Sequence, residues 1–116
     1  MVASRVMVFP PIAIDRRGNV YTANYKGNSV TKISVDGIGN TLGTTDLLPR
    51  GIAVDSAGNV YTANSGSTTV TRITASGNSS IIPTPGTSPR AVALDGRGSV
   101  FVSDNSGIVI KITARE

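Results

Sequence analysis

The 116-residue sequence is 39% hydrophobic but only 4% aromatic, and 11 Lys and Arg against 7 Asp and Glu give a formal charge of +4. It contains no cysteine and no histidine, which excludes a disulfide framework, thiolate chemistry, the usual general base near neutral pH and the commonest zinc ligand. The length suits one ordinary domain with a core of Val, Ile, Ala and Leu, and no apolar run approaches a membrane span.

In chain order, the opening MVASRVMVFPPIAI is apolar in patches. Arg5 and the pair Pro10 and Pro11 interrupt it before a signal-peptide core can form, so it reads as mature protein. Within it, residues 4–9 (SRVMVF) are a candidate outer strand.

At Ile12 a unit begins that returns every forty residues. Ile12, Ile52 and Val92 align without gaps, as do Ala13, Ala53 and Ala93, then Asp15, Asp55 and Asp95, then Gly18, Gly58 and Gly98. Tyr21, Tyr61 and Phe101 share one slot, and Asn24, Asn64 and Asp104 close the frame. The first two copies agree at ten of thirteen positions from Ile12 and Ile52, the second and third at four. The repeats are taken as about 12–51, 52–91 and 92–116.

Each unit reads as strands. PIAID, GIAVD and AVALD are apolar on both faces, as an inner strand packed from two sides requires. DRRG, DSAG and DGRG begin with a turn-favouring Asp and end with a Gly able to take positive φ, giving a hairpin into a second strand. A loop, NYKGNS or NSGSTT, leads to a third strand centred on Val30, Val70 and Val109. The weakly apolar IGNTLGTT and NSSIIPTP suit an outer edge strand, where Pro83 is tolerated. No segment has the spacing of an amphipathic helix. The fold class is therefore all-β, and a forty-residue period of short strands is the mark of β-propeller blades, each a four-stranded antiparallel sheet.

The run PRGIAVDSAGNVYTAN resembles the NHL-repeat β-propellers and is similar to the streptogramin-lyase-like bacterial propellers, over nearly the whole chain. The resemblance implies a ring of six blades, of which three repeats supply half. A lone half would leave apolar faces at both ends, and such faces mark interfaces. The expectation is a homodimer that closes a six-bladed ring. An excised or degenerate piece of a longer propeller and a larger ring of three chains are the alternatives.

Site candidates follow from this arrangement. Asp15, Asp55 and Asp95 read as turn residues rather than calcium ligands, since Arg16 and Arg17 would repel a cation. Asn24, Asn64 and Asp104 are expected to stitch loops. With Arg50, Arg90, Tyr25, Lys26 and Asn105 they form the candidate ligand-binding rim, on loops that enter the inner strand or join the second and third strands. Repeated Arg50 and Arg90 suit phosphate or carboxylate, whereas Tyr25 is the only stacking platform there for RNA. The opposite rim carries Arg16, Arg17 and Arg97. Lys32, Arg72 and Lys111 recur on the third strand, where stems lying across the sheet explain them.

The resemblance implies a catalytic histidine, magnesium and a carboxylate for the lyases, and a metal-ligating Glu for gluconolactonase-like propellers. Here there is no His, and the single Glu is Glu116. The expectation is a non-catalytic scaffold for a protein or small ligand, with no cofactor, metal or membrane partner. A polyanion or RNA binder and a metal-dependent lyase or hydrolase are the rivals. Polyanion binding would weaken with salt.

Overall fold

The repeated hairpin turns organise the structure, a computed structural model that describes residues 11–113. In the first turn Gly18 N–H donates to the Asp15 carbonyl at 3.2 Å, and the Asp15 N–H closes the hairpin on the Asn19 carbonyl at 3.0 Å. Gly18, Gly58 and Gly98 adopt φ of 92°, 89° and 99°, the left-handed region that a side chain resists. The turn signature thus fixes both the bend and the register of the strands that leave it.

The first sheet joins β1 (Ile12–Ile14), β2 (Val20–Asn24), β3 (Ser29–Ile33) and β4 (Gly39–Thr44) in that order. The second joins β5 (Pro49–Val54), β6 (Val60–Asn64), β7 (Thr69–Ile73) and β8 (Ser79–Pro83). The third joins β9 (Ala91–Leu94), β10 (Ser99–Ser103) and β11 (Val109–Thr113). All neighbours are antiparallel, and no described residue is helical. The sequence-based expectation of all-β propeller blades is met. The third sheet has three strands among the described residues instead of four. The candidate outer strand at 4–9 lies outside the described residues.

The core sits between sheets, because β-branched residues on facing strands have no other place to leave water. Tyr21, Val30, Val60 and Ile73 form one buried cluster, against which Leu42, Ile52 and Val54 pack. Tyr61, Ala63, Val70, Val100 and Val102 form the next, against which Ile82, Val92, Leu94, Ile110 and Ile112 pack. Sealing one such Val contributes about 1.5–3 kcal/mol. Gly51 sets how closely the inner strands approach. A Cβ there would lie 2.8 Å from the Arg90 carbonyl oxygen and 2.9 Å from Ala91 Cα.

One irregularity matters for function. The β5–β6 pairing runs Pro49 to Asn64 and then Gly51 to Ala63, leaving Arg50 as the extra residue of a bulge. Bulges re-aim side chains. Here the bulge delivers a guanidinium to the rim.

Candidate functional site

On the rim facing the β2–β3 loop, three loops are tied into one surface. Leu48 N–H donates to Asn28 Oδ1 at 2.8 Å, and Thr45 N–H donates to the Asn28 carbonyl at 2.9 Å. Ser65 N–H and Ser65 Oγ–H both donate to the Leu48 carbonyl at 2.9 Å. Asn28 and Leu48 hold positive φ, at 51° and 55°. Their neighbours on both sides enforce that conformation, which a Leu adopts only under such restraint.

Two of the predicted rim residues meet. Arg50 Nη2 donates to the Tyr25 hydroxyl at 3.2 Å, and the guanidinium carbon lies 5.0 Å from the ring centroid. The pair is half-buried, so the arginine is held as a rigid, oriented fork. Arg90 occupies the equivalent position in the next blade, but Ser65 stands where its aromatic partner would be. Lys26 and Asn105 are exposed on their loop tips.

Asn24, Asn64 and Asp104 hold their own hairpins. Asn24 Nδ2 donates to Ser29 Oγ at 2.9 Å and to Thr31 Oγ1 at 3.0 Å. Buried Asn64 donates to Thr69 Oγ1 at 3.1 Å and to Thr71 Oγ1 at 2.9 Å, and accepts from Thr62 Oγ1 at 2.9 Å. Asp104 Oδ1 accepts from Ser106 N–H at 2.8 Å and Ser106 Oγ–H at 2.7 Å. The Ser106 hydroxyl in particular holds that carboxyl below the usual range.

Sequence reasoning missed Asp46. Its Oδ2 accepts from Thr69 Oγ1 at 2.8 Å, and its N–H donates to Thr71 Oγ1 at 3.0 Å, so it extends the Asn64 network into the β4–β5 loop. The Thr69 hydroxyl keeps the Asp46 carboxyl low against the opposing effect of burial. No local motif marks it, since its partners lie more than twenty residues away.

The basic residues of the third strands also have a more definite place than solvated stems. Tyr21 is registered opposite Lys32, Tyr61 opposite Arg72, and Phe101 opposite Lys111. Each cation lies over its ring, at 5.9, 6.0 and 5.8 Å from the centroid. The near-constant spacing between aromatic and basic residue was the available signal. Cross-strand cation–π contact is its cause.

On the opposite rim the three Asp carboxylates serve their turns. Asp15 Oδ1 accepts from Arg17 N–H at 2.9 Å and Asn19 N–H at 3.0 Å, and Oδ2 accepts from Asn19 Nδ2 and the Tyr21 hydroxyl, each at 2.9 Å. Desolvation opposes the charged form, but these donors outweigh it and hold the carboxyl at about 2. Burial, and then the bond to Asp15, push Tyr21 up to about 12. Asp55 and Asp95 cap the same turn through Ala57 and Asn59, and through Arg97 and Ser99.

No family model and no curated protein matches the sequence. Solved structures do share its fold. Virginiamycin B lyase from Staphylococcus aureus aligns over 92% of this chain and 41% of its own, with TM-score 0.71 and 17% identity. A gluconolactonase from Xanthomonas campestris aligns over 88% and 36%, with TM-score 0.71 and 18% identity. A chain of the nidogen/laminin complex aligns over 82% and 39%, with TM-score 0.71 and 22% identity. The chain thus has the blade fold of the NHL-like propellers that its repeat resembles, and spans about 40% of the length of these structures.

These matches correct the expectation that the chain is not an enzyme. Two of the three are a lyase and a lactonase with the same blade fold, so the fold gives no ground for excluding catalysis. The missing histidine and the single Glu116 tested only the residue sets of two propeller families, whereas one scaffold hosts many chemistries.

Proposed function

We propose that the chain is a binding propeller whose ring is completed by a second copy, and that its stitched rim receives a protein partner. One observation carries the pairing. Val30 and Val70 are fully buried by the blade that follows, whereas Val109, at the same register position, is 66% exposed. On the other side, Ile52 and Val54 pack against the first blade's cluster, whereas the equivalent Ile12 and Ile14 are 61% and 64% exposed. The two open faces are the two halves of a contact that the chain already makes twice within itself.

The third blade's open face contains an apolar hollow of about 270 Å³, lined by Val92, Phe101, Val102 and Val109 among others. Seating Ile12 and Ile14 of a second copy there repeats the internal junction. Doing so reciprocally places six blades in a closed ring.

At the rim, Tyr25 and Arg50 form a rigid aromatic–guanidinium anchor of the kind enriched at protein-binding hot spots. Arg90 and the exposed Lys26 and Asn105 are adaptable polar contacts on the loops of the three blades, while Asn24, Asn64 and Asp104 hold those loops in place. The presence of a similar propeller in a complex of two proteins supports a protein partner.

The test is the solution mass of the purified chain. The expected value is twice the 11.9 kDa chain mass, falling to one chain mass in Val109→Asp with circular dichroism unchanged. A wild-type monomer at concentrations up to about a millimolar overturns the pairing, because an interface worth a standard junction would be occupied there.

A further inference from the structure

Two grooves lie between neighbouring blades on the rim of the β1–β2-type hairpins, and they share one construction. The first holds about 380 Å³, with Asp15, Arg16, Arg17 and Lys32 on one wall and Ser56 and Ala57 on the other. The second holds about 290 Å³ and is lined by Val54, Asp55, Tyr61, Leu94 and Val100 together with small turn residues. Where the first blade has Arg16 and Arg17, the second has Ser56 and Ala57. The seven residues that follow, Gly-Asn-Val-Tyr-Thr-Ala-Asn, are the same in both blades. Within the thirteen-residue frame from Ile12 and Ile52, two of the three differences between the blades therefore fall on a groove wall.

It also changes the charge. The first groove presents three cations against one carboxylate, and no cation lines the second. Asp15 does not neutralise the arginines by direct contact, because its two oxygens are taken by four donors from its own turn and Tyr21. Among the described residues, neither guanidinium donates a hydrogen bond to a protein acceptor. The Lys32 ammonium is held over the Tyr21 ring. Small residues, Ala57, Gly58 and Ala75, form the facing wall and leave the space open.

We propose that this first groove binds a small multivalent anion bearing phosphate or carboxylate groups. Arg16 and Arg17 supply planar forks for its oxygens and Lys32 a compact charge. The volume lies in the range of small-molecule sites. The groove is built within one chain, so it holds whether or not the open end faces pair.

Isothermal titration calorimetry with inorganic pyrophosphate and, separately, with citrate tests this. The expected result is a saturable one-site isotherm with at least one of them, which identifies phosphate or carboxylate as the preferred group. Sodium chloride at matched ionic strength should give no such isotherm. The double variant Arg16→Ser with Arg17→Ala should weaken binding by about tenfold or more, since two charge-assisted contacts are lost. That variant carries the second blade's own turn residues, so its turn has a folded precedent in the same chain. Arg97→Ala, in the third blade's turn, should bind as the wild type does. Absence of a saturable isotherm with both anions overturns the proposal. So does equal affinity in the double variant, or reproduction of the effect by chloride.

Discussion

Val70 and Val109 are one residue type at one register position, and only the first is covered. Around Val70 the second and third blades close over a continuous apolar cluster; around Val109 the same kind of sheet face meets solvent. The sheets are alike, so the difference comes from the neighbour and not from the strand. In this architecture a blade face is a connector, and its burial is decided one blade away.

The largest expected effects break the covered side of that comparison. Val70→Asp places an unpaired charge in a sealed cluster and should cost about 3–5 kcal/mol, read as loss of the cooperative transition in urea. Val109→Asp should change the stability of the isolated chain by only about 0.5 kcal/mol. If both variants unfold alike, the distinction between junction and open face is wrong.

Gly51→Val comes next. The side chain would run into the Arg90 carbonyl and the Ala91 backbone, which cannot give way as a flexible side chain does. A loss of about 1–3 kcal/mol in denaturant melts is expected. Asn64→Ala should cost a similar or slightly smaller amount, about 1–3 kcal/mol, because it leaves the buried Thr62 hydroxyl without its acceptor and takes one donor each from Thr69 and Thr71, which keep Asp46. Asn24→Ala makes the same deletion at a half-buried position and should cost less.

The smallest effect sharpens the comparison by pH. Asp15 is held at about 2, below an ordinary value of 3.8, so its contribution to stability is full above about pH 4 and is lost as pH falls towards 2. Tyr21 is raised to about 12, so its contribution is lost on the alkaline side, between about pH 10 and 12. Asp15→Asn should flatten the acid limb of the stability curve. An unchanged limb would show that the turn does not select the carboxylate.

Much of this fold was legible because repetition samples the same local rules several times. Asp and Gly at fixed spacing gave the hairpins, and the weak apolar pattern of IGNTLGTT and NSSIIPTP gave β4 and β8 at the sheet edges. What escaped depends on partners distant in sequence. The bulge that re-aims Arg50 follows from how Pro49 pairs with Asn64, and nothing in PRG alone announces it. Asp46 joins the Asn64 network through threonines on another strand. The cations over Tyr21, Tyr61 and Phe101 were visible as a repeated spacing, but their meaning needed the β2–β3 register. The fold was local information repeated, and the rim is non-local information assembled.

The two open faces differ from each other, one presenting Ile12 and Ile14 and the other Phe101 and Val109. In the proposed ring each chain therefore contributes a donor side and an acceptor side. That asymmetry allows complementation. A chain carrying Ile12→Asp keeps a sound acceptor side, and one carrying Val109→Asp keeps a sound donor side. Mixed together, the two defective chains can still form one intact junction per pair, which neither can form alone.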